Sequence, residues 1–203
     1  MIRNVLMGLT GLAALCGLAA LPALGAGPSP LVGKEAPVLS GPGRDGKLIN
    51  LAKLRREVNF IKDADGKLVK EPGGRYKTEA VDYVMVINFF ATYCIPCIKE
   101  IPTFNKIAES YPDKPVRFLY VNVDVEKTPQ EVKRFAEEKG IAVEMMFPSV
   151  SQAVKSYMIE SLPRIVVLDT QGKIRTVITG FHDNLTAQLD AIIKPLLPKV
   201  KKA

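Results

Sequence analysis

Two cysteines separated by two residues are the side chains best suited to chemistry in this chain of 203 residues. Cys94 and Cys97 lie in residues 88–102, NFFATYCIPCIKEIP, after an apolar run and before a segment with helical spacing. Cysteine thiolates attack disulfides, bind metals and form structural bridges. The pair is therefore a candidate redox centre, half of a zinc site or a structural bridge.

The ligand count and the spacing favour the redox interpretation. A structural zinc site takes four ligands, whereas the rest of the chain offers only Cys16 and the distant His182. A Cys-x-x-Cys bridge closes too short a loop to restrict the unfolded chain much. Cys94 falls where a strand ends and a helix begins, so free helix N–H groups favour a thiolate there. Cys97, one turn further along, is placed to resolve a mixed disulfide. We predict no metal and no cofactor.

The predicted elements around the pair alternate between strands and helices. Residues 82–90, DYVMVINFF, form a nearly continuous apolar run that predicts a central strand covered on both faces. Residues 95–110 have helical spacing, and Pro102 predicts a kink in that helix. The later elements are a strand at 116–124, a helix that begins after Thr128 and ends at Gly140, a short helix at 150–158, two strands within 164–179 and a helix at 186–197. This order predicts an α/β sandwich with a mixed sheet.

An extra hairpin is predicted near 57–80. Residues 58–61 and 67–69 are strand-like, and they flank the turn residues Asp63, Asp65 and Gly66. A calcium loop is the alternative for this turn, but its acidic residues do not match the ligand spacing of such loops. We therefore expect a surface insertion.

The two ends of the chain differ from this core in composition. Residues 1–26 carry a positive charge near their start, at Arg3. An uncharged apolar run and then small residues follow, which is typical of a cleaved export signal. An uncleaved membrane anchor is the alternative. The Pro/Gly-rich residues 27–36 predict a linker, residues 37–197 the folded domain and residues 198–203 a basic tail.

The overall composition predicts one ordinary domain with a full core, because 47% of the residues are hydrophobic and 24% are charged. The formal net charge is +7, but the basic residues are scattered along the chain. The sequence contains no basic stripe interleaved with aromatic residues, so we do not expect a nucleic-acid partner. We expect membrane contact only through an uncleaved leader.

The segment INFFATYCIPCIKEIP resembles the active-site segment of thioredoxin-fold proteins, specifically the exported thiol–disulfide oxidoreductases of the TlpA/ResA type. The resemblance extends over most of residues 33–195. GRDGKLINLAKL is similar to the first strand of that family, and SLPRIVVLDTQGKI is similar to the segment with a cis-proline beside the active site, here Pro163. A strand and a helix within 141–160 fit the central insertion of the family. The resemblance implies a thioredoxin-like three-layer sandwich with a mixed central sheet.

The resemblance also implies a function and a site. Cys94 would attack a disulfide of an exported protein, such as an apocytochrome c, and Cys97 would resolve the mixed disulfide. A membrane electron-donor protein would then reduce the pair again in the periplasm. The implied substrate groove consists of Tyr93, Ile95, Pro96, Leu162 and Pro163.

Two departures from the family pattern and one match to it affect the expected chemistry of the two cysteines. Tyr93 replaces the usual Trp before the first cysteine, and Asn88 stands where thioredoxin has a buried Asp, so it cannot relay a proton. Glu100 matches a glutamate that the family carries three residues after the second cysteine. It is a candidate for tuning the cysteines, and a solvated helix residue is the alternative.

Two features favour a reductant over an oxidant. A carboxylate near the pair would raise a cysteine pKa, and no cation lies between the two cysteines. A disulfide oxidase or isomerase is the alternative within the same class. A copper-delivery module on the same fold is the alternative of another class, although such carriers typically separate their cysteines by three residues.

Overall fold

The structure is a computed structural model, and it describes residues 28–198. The predicted signal segment 1–26 and the tail beyond residue 198 lie outside the described residues. The segment 31–36, expected to be a linker, packs against the domain. Leu31 is buried in the core, and the Gly33 N–H donates to the Ile174 carbonyl at 2.8 Å.

Nine strands and five helices follow one another in the described part of the chain. The strands are β1 (Ser40–Pro42), β2 (Leu48–Asn50), β3 (Arg56–Phe60), β4 (Thr78–Asp82), β5 (Val84–Phe90), β6 (Val116–Asn122), β7 (Glu144–Met146), β8 (Arg164–Leu168) and β9 (Ile174–Thr179). The helices are α1 (Leu51–Leu54), α2 (Ile95–Glu109), α3 (Pro129–Glu138), α4 (Val150–Ser156) and α5 (Leu185–Leu196).

A five-stranded mixed sheet in the order β7-β6-β5-β8-β9 forms the centre of the molecule. β5 pairs in parallel with β6 and antiparallel with β8, so it has a neighbour on each side. All seven of its residues are buried. Its Val, Ile and Phe side chains suit a strand covered on both faces.

Successive β5 side chains point to opposite faces of the sheet and build two separate cores. Val84, Val86 and Phe90 belong to a cluster with residues of α2, α3 and α5. Met85, Ile87 and Phe89 belong to a cluster with residues of α1 and α4. Helices thus cover both faces, and the expected three-layer α/β sandwich with a mixed sheet is confirmed.

Most predicted elements agree with the structure to within two residues at each end. α2 runs through Pro102 without interruption. α3 begins with a capping box in which Thr128 and Glu131 satisfy each other's backbone N–H groups. β7 and α4 form the strand and helix expected within 141–160. The predicted strand at 82–90 is wrong at its start, because Asp82 belongs to β4.

The insertion near 57–80 is a long two-stranded arm, and its pairing differs from the expectation. The predicted turn forms, since Asp63 N–H donates to the Lys67 carbonyl at 2.9 Å and Lys62 pairs with Leu68. However, the main ladder joins β3 to β4, with Phe60 opposite Thr78. The arm connects α1 to the amino end of β5, and most of its residues are exposed.

Candidate active site

Cys94 and Cys97 form a disulfide at the point where the chain leaves the sheet and enters α2. The two Cα atoms are 5.2 Å apart. Cys94 is the N-cap residue of α2, and its Sγ accepts a hydrogen bond from the Cys97 N–H at 3.2 Å. Ile95 and Pro96 occupy the first helical turn, where the missing N–H of proline costs nothing. In the reduced protein, this N–H and the helix dipole would stabilise a Cys94 thiolate.

Asp124 fastens the short loop that carries Cys94. Its carboxylate accepts hydrogen bonds from the Thr92 N–H at 2.9 Å and the Thr92 hydroxyl at 2.8 Å. The Asn122 amide donates to the same carboxylate at 2.5 Å. Asp124 is buried and lies two residues after the end of β6, the parallel neighbour of β5. Sequence reasoning missed Asp124, although its position after the apolar end of a parallel strand is a typical signal of a site residue.

Glu100 is a buried residue of α2, three positions after Cys97, and only 1% of it is exposed. The alternative of a solvated helix glutamate is therefore wrong. Oε1 accepts a hydrogen bond from the Asn88 side-chain amide at 2.7 Å, while Oε2 has no partner among the described residues. Burial raises the pKa of Glu100 to about 7, and the hydrogen bond from Asn88 partly opposes this rise.

Tyr120 extends this buried polar group. It lies opposite Asn88 in the pairing of β5 with β6, and its hydroxyl is buried without a partner among the described residues. Burial and the charge of Glu100 both raise the Tyr120 pKa. The site thus contains one carboxyl that can change its charge near neutral pH, held by an amide and next to a phenol that stays neutral.

An apolar groove of about 540 Å³ opens beside Cys94. All four residues expected to flank the substrate besides Pro163 line it, namely Tyr93, Ile95, Pro96 and Leu162. Tyr93 and Ile95 are about two-thirds exposed. The sequence did not indicate the opposite wall, which includes Val125, Val150 and Val154.

The Leu162–Pro163 peptide bond is cis, as the resemblance implies. Among residues 28–198, neither the N–H nor the carbonyl of Leu162 forms a hydrogen bond. Backbone groups without hydrogen-bond partners at a groove can pair with an extended chain. Pro163 itself is buried, and its carbonyl accepts a hydrogen bond from the Gly180 N–H.

His182 lies apart from the disulfide. Its Nε2 is 3.2 Å from the Thr179 carbonyl oxygen, and the residue lines a second pocket together with Arg164. Within residues 28–198, no three His, Cys, Asp or Glu side chains cluster as metal ligands. In the same part of the chain, every helix is too short or too polar to cross a membrane.

Comparisons with known proteins agree with this geometry. The model of the Redoxin family matches residues 31–193. The thiol-disulfide oxidoreductase ResA of Bacillus thuringiensis (strain Al Hakam) is 27% identical over 167 residues, which are 82% of this chain and 79% of the relative. ResA of Geobacillus thermodenitrificans is 33% identical over 94 residues. That match covers 46% of this chain, so the chain spans about half (53%) of this relative.

Solved structures show the same fold. A thiol:disulfide interchange protein of Chlorobium tepidum TLS superimposes with a TM-score of 0.57 at 25% identity, covering 80% of this chain and 94% of that one. A thiol:disulfide interchange protein from Bacteroides sp. superimposes with a TM-score of 0.60 at 20% identity, covering 80% and 90%.

The fold and the Cys94–Cys97 pair are similar to those of thioredoxin-fold proteins named as thiol–disulfide oxidoreductases, so the expected resemblance to the TlpA/ResA type is confirmed. Because the family model spans most of its length, the chain belongs to the Redoxin family.

Proposed function

We propose that this chain reduces disulfide bonds of exported proteins. The Cys94 thiolate attacks one sulfur of the substrate disulfide, and the other substrate sulfur leaves as a thiolate. Cys97 then attacks Cys94 Sγ in the mixed disulfide, and the second substrate thiol departs. The substrate disulfide gains two electrons, and the enzyme ends with the Cys94–Cys97 disulfide.

The observation that carries this proposal is the position of Cys94 between a helix N-terminus and the open groove. Cys94 lines the groove, whereas Cys97 does not, and Cys97 is the more buried of the two at 3% exposed against 8%. A substrate chain lying in the groove and paired to Leu162 would bring its disulfide to Cys94 first. Tyr93, Ile95 and Pro96 would contact that chain, and Pro163 would hold Leu162 in place.

The buried Glu100 supports reduction as the direction of electron flow. An ionised carboxylate near the pair opposes thiolate formation, which destabilises the reduced enzyme and makes it a better electron donor. A protonated Glu100 can also supply a proton to a cysteine when the pair is reduced. Because the pKa of Glu100 is about 7, both forms exist at neutral pH.

The location and the partners follow from the sequence and the resemblance. We infer that residues 1–26 direct export to the periplasm, that residues 37–197 carry the activity and that a dithiol protein of the membrane reduces the pair again. The names of the relatives support the class of reaction. Substrates such as apocytochrome c are part of the proposal.

A trapping experiment tests the proposal. In Cys97→Ser, the mixed disulfide cannot be resolved, so exported proteins should remain covalently attached to Cys94. The matched variant Cys94→Ser should give no adducts. Adducts with Cys94→Ser alone would reverse the roles of the two cysteines, and the absence of adducts with both would contradict the proposed activity.

The redox potential separates a reductant from an oxidant. We expect a value nearer to that of thioredoxin, about −270 mV, than to that of the oxidant DsbA, about −120 mV. Equilibration with defined ratios of reduced and oxidised dithiothreitol measures it. A value near the oxidant end would overturn the direction but keep the class, and tight stoichiometric Cu(I) binding by the reduced domain would favour copper delivery.

A further inference from the structure

The side chain of Arg164 is buried, and Arg164 lies two residues after Leu162, which lines the groove. Arg164 is the first residue of β8 and follows Pro163 in the chain. Only 7% of it is exposed. Its Nη1 donates to the Thr179 hydroxyl at 3.0 Å, and its Nε has no hydrogen-bond partner among the described residues.

None of the ion pairs formed within residues 28–198 includes Arg164. Burial lowers the pKa of Arg164, and the nearby charge of Glu160 partly opposes this effect. A guanidinium stays charged in proteins. A buried charge of this kind is costly unless an opposite charge and further hydrogen bonds compensate it. An anion that reached Arg164 would therefore gain a strong, charge-assisted interaction.

Arg164 lines a pocket of about 540 Å³. Its polar lining includes Ser161, Arg164, Thr179, His182 and Gln188. The hydroxyl and amide groups can donate hydrogen bonds to an anion. Glu160 also lines the pocket, but it is exposed and does not pair with Arg164.

The pocket adjoins the groove beside Cys94, because Glu160 and Ser161 line both. Leu162, whose backbone is free to pair with a substrate chain, lies two residues from Arg164. Extended residues advance about 3.3 Å each, so a chain paired to Leu162 reaches the pocket within roughly two to four residues of its attacked cysteine.

We propose that Arg164 and this pocket form a carboxylate subsite, which selects partner segments that carry Asp or Glu a few residues from the attacked cysteine. The proposal rests on the proposed function, since it assigns a substrate class to the same groove. Such a subsite would distinguish this chain from an enzyme that recognises only the disulfide and the apolar residues next to it. Arg164 acts in it as a specificity residue that contacts the substrate, away from the reacting sulfurs.

Exchange kinetics with paired peptides test the subsite. Each peptide carries one cysteine as a mixed disulfide with a chromogenic thiol, and Glu or Gln at one position on either side of it. The reduced protein should react about tenfold faster with the Glu peptide than with the Gln peptide at the best position. In Arg164→Met, the rate with the Glu peptide should fall to the rate with the Gln peptide.

Arg175→Met is the matched control, because Arg175 lies on the neighbouring strand, pairs with Asp169 at 3.6 Å and does not line the pocket. It should keep the preference for Glu. Glu160→Gln should strengthen that preference, because it removes a competing charge. If Arg164→Met does not fold, Arg164→Lys serves instead and should keep part of the preference, since it retains the charge but loses the planar fork.

The outcomes separate this inference from the proposed function. Reaction with neither peptide would contradict the oxidoreductase activity itself. Equal rates for Glu and Gln at every position in the wild type, or a preference that survives in Arg164→Met, would overturn the subsite. Stabilisation of the wild type by acetate, without discrimination between peptides, would assign the pocket to a free small anion and overturn the role in partner selection.

Discussion

We propose that Glu100 tunes the two cysteines. It lies one helical turn after Cys97, it is buried, and its pKa of about 7 is set by burial against one hydrogen bond from Asn88. Thioredoxin's buried acid is replaced by an amide at position 88, so the ionisable group now comes from the helix instead of the strand. We propose that Glu100, on the neighbouring helix, takes the role of that buried acid.

Replacing Glu100 with Gln should make the pair less reducing. The substitution keeps the shape and removes the negative charge, so a cysteine pKa should fall and the reduced form should gain stability. A fall of one pKa unit corresponds to about 1.4 kcal/mol, or roughly 30 mV for a two-electron couple. Thiolate absorbance against pH and the redox potential measure the effect. Glu109→Gln, at the exposed end of α2, is the control, and identical titrations of Glu100→Gln and wild type would leave Glu100 without a role in tuning.

The stability of the oxidised protein should depend on pH through the same carboxyl. The folded-state pKa of about 7 lies above the ordinary value of 4.5, so the folded protein holds this proton more tightly than the unfolded chain. The stabilisation is complete below about pH 4.5 and is lost as the pH rises through 7, by roughly 3 kcal/mol in total. Denaturant unfolding at several pH values should show this decline in wild type and a smaller one in Glu100→Gln. Parallel profiles would contradict it.

Asp124 should be important for the stability of the loop before Cys94. Asp124→Asn places an amide opposite the donors of Thr92 and Asn122, so up to three charge-assisted hydrogen bonds weaken. We expect a loss of about 2 kcal/mol of unfolding free energy, together with faster hydrogen exchange of the Thr92 amide. Asp113→Asn, an exposed loop change, should have little effect. Equal stabilities of the two variants would mean that the loop does not depend on Asp124.

At the residue scale, the sequence predicted groups with recognisable spacing and missed groups that depend on long-range packing. The cysteine pair and Glu100 lie within one segment, so their spacing on one helix was legible. The burial of Glu100 depends on which face of α2 meets β5, and the weak helical pattern left that open. Arg164 and Asp124 are single polar residues at strand ends, and their partners lie 15 and 32 residues away.

Capping chemistry at the scale of the element was predicted because it is local. Thr128, Pro129 and Glu131 define the start of α3 within four residues, and the structure contains both hydrogen bonds of the capping box. α3 contributes Val132 and Ala136 to the core. The start of α3 can therefore be predicted from neighbouring residues alone, without the rest of the fold.

Removing the cap should destabilise the protein measurably. Thr128→Ala loses the hydroxyl that accepts the Glu131 N–H, and we expect a cost of about 1 kcal/mol. Gln130→Ala, in the exposed first turn of the same helix, is the control and should be nearly neutral. Thermal or denaturant unfolding distinguishes them. If both variants unfold alike, the cap contributes nothing in this context.

The β3–β4 arm shows where strand pairing cannot be predicted from neighbouring residues alone. The nearest strand-like partner of 58–61 was 67–69, and a short turn between them was the obvious connection. In the structure, 61–69 does close on itself at the tip, but the longer ladder pairs β3 with β4 on the far side of a second turn. Residues 58–60 suit either partner, and the return of the chain to the start of β5 favours their pairing with β4.

In the whole molecule, the cysteine pair and the inserted arm lie at opposite ends of the central strand. Cys94 follows the carboxyl end of β5, while the arm joins its amino end. The seven residues of β5 span about 23 Å at roughly 3.3 Å per residue. The order of elements was sufficient to predict the fold class, because alternating strands and helices leave few right-handed arrangements.

Shortening the arm should leave the fold and the redox chemistry intact. Residues 61–77 can be replaced by Asn-Gly, which closes a two-residue hairpin between the paired Phe60 and Thr78. We expect exchange with a small disulfide to stay within about twofold of wild type, because the removed residues are almost all exposed and lie far from Cys94. Loss of folding or of exchange would show that the arm supports the domain.

Because the arm lies at the opposite end of β5 from Cys94, it is a suitable site for attaching a label. A fluorophore or a surface linker attached near Gly73, in the exposed second turn, would leave the groove facing outward. An immobilised or labelled enzyme of this design could report docking and release of one partner after another. The insertion thus gives the experimenter a point of attachment on the side of the molecule that its chemistry does not use.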